Sequence, residues 1–292
     1  GSHLVKRLKN EGYWVRGVDL KYPEYSNTEA DDFLIGDLRI RSVVDNVFDQ
    51  KFDEIYQLAA DMGGAGFVFT GENDADIMHN SALINLNMVE ASVKAGVKKL
   101  FYSSSACMYP ERNQMNPDNP NCKEDSAYPA DPDSEYGWEK LFSERMCRHF
   151  QEDYGLEVRV ARYHNIYGPF GTYDGGREKA PAALSRKVAQ SKINKTNNIE
   201  VWGDGKQTRT FLYVDDCIEG TLKLFESDYS DPVNIGSDEQ VSINQMIEMI
   251  EDISGVSSFN KNYQLDKPKG VRGRSSNNDL IKKVLNWSYE MS

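Results

Sequence analysis

Apolar positions alternate between two spacings along the first half of the chain, and that alternation sets the expected elements. Leu4, Val5 and Leu8 recur at helical spacing with Lys6, Arg7 and Lys9 between them. Gly12 predicts the end of that helix, and Tyr13–Asp19 reads as a strand. The same reading predicts short strands at 33–37, 54–60, 99–103 and 157–162. Helices are expected at 42–48, 75–95 and 134–154. Strand and helix in strict turn predict an α/β fold with a doubly wound parallel sheet. A helix that enters such a sheet with no strand ahead of it is unusual, so the first strand of the sheet is expected to be missing from this sequence.

The second half is less regular. Residues 166–180 are rich in Gly and Pro and predict a loop, followed by a helix near 181–191. Short strands are expected at 200–202 and 210–212, and helices at 215–225 and 243–253, the last N-capped by Ser242. This predicts a smaller mixed α/β substrate lobe interleaved with the sheet. The expected division is 1–165 with 212–238 for cofactor binding, and 166–211 with 239–292 for the lobe.

Composition narrows the function. With 39% hydrophobic and 27% charged residues a folded core is expected and disorder is not. Thirty-four basic against 46 acidic residues give a formal charge of -12, which removes the basic footprint of a nucleic-acid binder. Cys107, Cys122, Cys147 and Cys217 fit neither metal-site nor disulfide-framework spacing, so no metal is expected and a reducing, cytoplasmic setting is. No apolar run approaches the roughly 18 residues of a membrane span. Gly1-Ser2-His3 reads equally as a tag scar or as native sequence.

In open α/β sheets ligands gather at the carboxyl ends of the strands. Asp19, at one such end, suits the ribose hydroxyls of NAD, and Asp37, at the next, suits the neighbourhood of the adenine. Tyr136 and Lys140 are one helical turn apart, so both share a face. A nearby ammonium favours phenolate, which predicts Tyr136 as a base for a sugar hydroxyl. The spacing recurs at Tyr263 and Lys267, in a charged, Pro-flanked segment where a surface role is the simpler expectation. Ser105, after a predicted strand, is placed to share the sugar oxygen with Tyr136. Cys107 is either a second group in that cleft or a small buried hydrophobe. Gly175-Gly-Arg-Glu-Lys-Ala-Pro181 is either a solvated turn or a glycine-hinged loop carrying Lys179 over a substrate. Arg209 and Arg274 offer guanidinium forks suited to diphosphate.

Ser105, Tyr136 and Lys140 together resemble the Ser-Tyr-Lys triad of the extended short-chain dehydrogenases/reductases, which have a Rossmann-like sheet. Segments 103–110 (SSSACMYP), 162–183 (RYHNIYGPFGTYDGGREKAPAA), 202–211 (WGDGKQTRTF), 232–239 (PVNIGSDE) and 270–274 (GVRGR) resemble the GDP-mannose 3,5-epimerases of that family. The resemblance implies NAD as cofactor, with Gly1 the last glycine of the dinucleotide loop. It implies redox chemistry at Tyr136 and Lys140, and Cys107 with Lys179 as the acid/base pair that inverts carbons 3 and 5 of GDP-mannose. Substrate contacts are implied at Gly63, Gly64, Ser105, Asn165, Glu178, Lys179, Ala180, Lys187, Gln207, Thr208, Arg209 and Arg274, and a homodimer as the assembly. A dehydratase would want an Asp-Glu pair where Ala106-Cys107 stands. The nearest rival is a GDP-fucose synthase-like epimerase-reductase, which pairs its Cys with a His and uses NADPH; Lys179 and Asp19 point away from it. A plain 4-epimerase has no use for Cys107 and Lys179.

Overall fold

Two parallel groups of strands carry the first half of the chain. The computed structural model describes residues 1–256 and 259–291. In chain order it begins α1 (Ser2–Asn10), β1 (Arg16–Asp19), β2 (Asp32–Ile35), α2 (Arg41–Val47), β3 (Glu54–Gln57), α3 (Ala65–Val68) and α4 (Asp74–Lys94). Then follow β4 (Lys99–Ser105), α5 (Glu135–Tyr154), β5 (Glu157–Tyr163), β6 (Ile166–Tyr167) and α6 (Ala180–Asn194). The chain continues with β7 (Asn198–Trp202), β8 (Thr208–Thr210), β9 (Leu212–Tyr213), α7 (Val214–Glu226), β10 (Val233–Ile235) and β11 (Gln240–Ser242). It ends with α8 (Ile243–Ser254), β12 (Asn260–Gln264), β13 (Gly273–Arg274) and α9 (Asp279–Leu285).

The larger group is all parallel in the order β10-β5-β4-β3. Period-two alternation sorts the side chains of β4. Leu100 and Tyr102 join Val89, Cys147, Val158 and Val160 on one face, while Phe101 joins Leu212, Phe225, Val233 and Ile235 on the other. Helices thus cover both faces, the condition for a buried parallel sheet. β1 and β2 pair with each other, Asp19 opposite Ile35. Among the described residues β1 has no ladder to β3, and a cavity of about 1020 Å³ lies between them, lined by Gly1, Gly17, Asp19, Tyr56, Gln57 and Leu58 among others.

A second core has its own residues: Leu184 and Val188 of α6, Ile199 and Val201 of β7, and Ile243, Met246 and Ile247 of α8. The chain end returns to the first core, where Ile281 and Trp287 pack with Phe101 and Val233.

The expected helices formed. α8 has Ser242 as its N-cap, as expected, and the cap is a full capping box in which Gln245 accepts the Ser242 amide at 2.8 Å. The strands of the second half were only partly anticipated: β6 lies inside the expected loop, and β10, β11, β12 and β13 had no predicted counterpart. Tyr263 lies in β12, so its spacing to Lys267 has no helical meaning, and its hydroxyl donates to Asn244 Oδ1 at 3.0 Å.

Candidate active site

β4 delivers Ser105 to its carboxyl end, where the chain turns into a short 3-10 segment. The Ser105 hydroxyl accepts the Cys107 amide at 3.2 Å and so shapes the turn that presents the thiol. α5 starts beside it, with Ser134 as N-cap accepting the Gly137 amide at 3.3 Å. Its first turns place Tyr136 (7% exposed) and Lys140 (2%) together, as their spacing requires. A Cβ on Gly137 would lie 2.1 Å from the Cys107 carbonyl oxygen, so only glycine lets the helix come this close.

Lys140 donates to the Ser103 carbonyl at 2.9 Å, and its ammonium lies 5.6 Å from the Tyr136 ring centre. Burial pushes the lysine down. Burial also pushes the Tyr136 phenol up, with Cys107 adding to the rise and the Ser105 hydroxyl opposing it. The expectation that Lys140 lowers the phenol is outweighed here, because both groups have left water.

A third segment brings Lys179. The Gly64 amide donates to the Arg177 carbonyl at 2.9 Å, and a Gly64 Cβ would lie 2.1 Å from the Glu178 carbonyl oxygen. This close backbone seat fixes the chain just ahead of Lys179, which is the N-cap residue of α6. Arg177 reinforces it, bonding Asp61 Oδ1 at 2.9 Å and lying 3.8 Å from the Phe67 ring centre. Burial pushes Lys179 down, and Cys107 is the largest charge opposing that. Cys107 packs in one cluster with Tyr136, and the Lys179 amine lies within electrostatic reach of the sulfur.

The guanidinium groups divide. Arg209 donates to the carbonyls of Thr208, Lys269 and Val271 at 2.8, 3.0 and 2.8 Å and meets no carboxylate among the described residues. Burial, then Arg274, pushes it down to about 10. Arg274 is buried on Cys107, Gln114 and Asp133 at 3.0, 2.5 and 3.1 Å. Gln114 and Asp133 were not anticipated, because they lie 160 and 141 residues away in sequence and carry no local motif.

The sequence model of one family, the NAD dependent epimerase/dehydratase family, matches residues 1–236. The chain belongs to that family. It is 47% identical to GDP-mannose 3,5-epimerase of Arabidopsis thaliana, over 99% of this chain and 75% of that protein. It is also 47% identical to GDP-mannose 3,5-epimerase 1 of Oryza sativa subsp. indica, over 100% of this chain and 75% of that protein. A GDP-L-fucose synthase of Sinorhizobium fredii is 29% identical over 93% of the chain and 81% of that protein. Among solved structures, UDP-glucose 4-epimerase of Thermotoga maritima superposes with TM-score 0.83 at 24% identity, covering 100% of this chain and 91% of the other. That match establishes the Rossmann-like fold alone.

The family's cofactor is NAD, and the residues present fit it. Lys140 is a buried cation whose one hydrogen bond among the described residues is to a carbonyl, beside a buried phenol. Asp19 exposes its carboxylate at the end of β1, with no side-chain partner among the described residues, and lines the same cavity as Gly1. Asp37 differs: Arg39 grips it through contacts of 2.6–3.0 Å and holds its carboxyl below the usual range.

The remaining implied contacts are structurally engaged. Asn165, at φ +40°, donates to the Thr210 carbonyl at 3.1 Å. Gly63 leaves room for Phe67. Glu178 pairs with Arg186 at 3.0 Å and Lys187 with Glu200 at 3.4 Å. Ala180 opens α6. Thr208 donates to the Pro117 carbonyl at 2.6 Å. Gln207 donates to the Trp202 carbonyl at 2.9 Å, while its buried Oε1 has no partner among the described residues.

Proposed function

We propose that the chain is an NAD-dependent epimerase of GDP-mannose, working through transient oxidation at carbon 4 and inversion at carbons 3 and 5. The observation that carries this is the convergence of Cys107, Tyr136 and Lys179, in a chain 47% identical to two GDP-mannose 3,5-epimerases.

Ring hydrogens of a hexose are too weakly acidic for a side chain to remove unaided. Tyr136, oriented by Ser105 and backed by Lys140, takes the proton of the 4-hydroxyl as hydride leaves carbon 4. Bound NAD would supply reversible hydride acceptance at that carbon. A carbonyl at carbon 4 lets the carbanion at carbon 3 or 5 spread into an enolate. Cys107 and Lys179 then act from opposite sides of the ring, one removing a proton and the other returning one. Burial suits Lys179 to this work, because it disfavours the ammonium and so eases exchange between amine and ammonium. Asp19 and Gly1 hold the dinucleotide, and Arg209 takes the diphosphate of the sugar nucleotide. Gly63, Gly64, Asn165, Glu178, Ala180, Lys187, Gln207 and Thr208 shape the remainder of the pocket.

Residues 1–165 with 212–238 hold the cofactor in this reading, and 166–211 with 239–292 present the sugar, with α9 buttressing the first part. Two copies associate through α4 and α5, where Met78, Leu86, Trp138 and Phe142 leave apolar surface exposed on adjacent helices. The four cysteines are free, which supports a reducing, cytoplasmic setting. No helix among the described residues is long and apolar enough to cross a membrane.

The test is incubation with GDP-mannose in heavy water, read by NMR. Deuterium should appear at carbons 3 and 5, and Cys107→Ala should cut its entry by about 100-fold or more while bound NAD is still reduced. Undiminished incorporation in that variant removes Cys107 from the reaction.

A further inference from the structure

We propose that Asp61 and Arg177 are positioning residues for Lys179: their ion pair ties the loop that carries the amine to the chain leaving β3, where Leu58 and Ala59 line the cofactor cavity. The proposal rests on the reading of Lys179 as an acid/base group.

Three charges stand in a row at Arg177-Glu178-Lys179, directly after Gly175 and Gly176. Both glycines have positive φ, +92° and +86°, and neither has a side chain with which to hold the loop. Arg177 is the first residue after them that can. Its carbonyl accepts the Gly64 amide at 2.9 Å, and its Nη1 donates to Asp61 Oδ1 at 2.9 Å and to the Met62 carbonyl at 3.2 Å. Its guanidinium carbon lies 3.8 Å from the Phe67 ring centre. Glu178 faces the other way, its Oε1 accepting from Arg186 of α6 at 3.0 Å. One charge thus fastens the loop to the sheet side, the next fastens it to the lobe, and Lys179 follows as the N-cap residue of α6.

Asp61 can anchor the loop because it is anchored itself. Its amide donates to Ser81 Oγ at 3.0 Å and its Oδ2 accepts from Asn80 Nδ2 at 2.8 Å, both on α4. Asn80 Oδ1 accepts in turn from Arg39 Nη1 at 2.8 Å, and Arg39 grips Asp37. A run of bonded side chains therefore starts just past β2 and ends two residues short of Lys179. The Asp61 side chain is 17% exposed and that of Arg177 50%, so the pair adds little free energy in water. Its contribution is direction. Each carboxylate oxygen of Asp61 is committed to its own donor, which leaves the guanidinium one place to dock, and a reacting group two residues on is sensitive to a displacement of about 1 Å.

The experiment uses the full chain with NAD and GDP-mannose in heavy water, with bound NADH followed by absorbance and deuterium at carbons 3 and 5 by NMR. Arg177→Met and Asp61→Ala should each slow deuterium entry by about tenfold or more, while initial NADH formation stays within about threefold of the parent. The double variant should be no slower than the worse single one, because either change alone releases the loop. Arg177→Lys, which keeps a cation for Asp61, should recover part of the loss. A purely structural role would slow both readouts together. Release of the loop has a readout of its own: chymotrypsin should cut after Phe170 and Tyr173, 54% and 52% exposed, faster in Asp61→Ala than in the parent, by about fivefold. Asp61→Asn and Arg177→Lys stand in for either single variant should it not fold. Deuterium entry within about twofold of the parent in both single variants overturns the proposal. Lys179→Met tests the acid/base reading separately: exchange that persists there sinks that reading, and the anchoring of the loop is then decided by the cleavage rate, which overturns it if unchanged.

Discussion

His164 lies fully buried behind the site, its Nε2 hydrogen-bonded to Asn234 Oδ1 at 3.1 Å and its Nδ1 without a partner among the described residues. Burial pushes it down to about 3, so the folded protein holds it neutral. The unfolded chain takes up that proton near pH 6.5, which fixes the sign. Stability contributed by neutral His164 is complete above about pH 6.5 and drains away as pH falls toward 3, at about 1.4 kcal/mol per unit within that window. Urea denaturation at pH 7 and pH 5 should show this loss, and His164→Gln should flatten it. An unchanged slope in that variant assigns the acid sensitivity elsewhere. At Gly137 the close approach to the Cys107 carbonyl makes Gly137→Ala an overpacking change against backbone, expected to cost about 1–3 kcal/mol and to lower turnover by displacing Cys107 and Tyr136 together. At this scale sequence spacing was enough for Tyr136 and Lys140, because one helical turn guarantees their meeting. It could not reach Asp133 or Gln114, whose meaning exists only once β13 has folded against them.

Among elements, α5 has two different jobs on two faces. Its inner face supplies Tyr136, Lys140 and Cys147, while Trp138 and Phe142, one turn apart, stay 40% and 48% exposed. α4 packs beside it and exposes Met78 and Leu86, eight residues apart on one stripe. If two copies meet there, Trp138→Glu with Phe142→Arg should turn the dimer into a monomer by light scattering, with each chain still folded. A parent protein that already runs as a monomer at micromolar concentration would sink the assembly. Seating of the 177–179 segment is a second elemental feature. Gly64→Ala should unseat it and lower turnover by about 100-fold, because small displacements of a reacting group are costly, while NAD reduction suffers less. Long periodic helices such as α4 and α5 were legible because many turns repeat one signal. β11 and β13 were not, since two or three residues cannot display a period and their pairing with β8 is decided by residues far along the chain.

Across the whole molecule, the site is a place where folding has left positive charge in waiting. Arg209 is surrounded by carbonyl dipoles instead of a carboxylate, and Arg274 lies near enough to push it further down. A net charge of -12 does not relieve this, because it is distributed over the surface while these groups are out of water. An anion that enters between the two parts therefore stabilises the folded chain more than it would an ordinary pocket. Guanosine diphosphate at about 100 times its dissociation constant adds about 2.7 kcal/mol and should raise the melting temperature by about 5 °C. Arg209→Met should lose most of that shift. A shift that survives unchanged in Arg209→Met would take that guanidinium out of the diphosphate site.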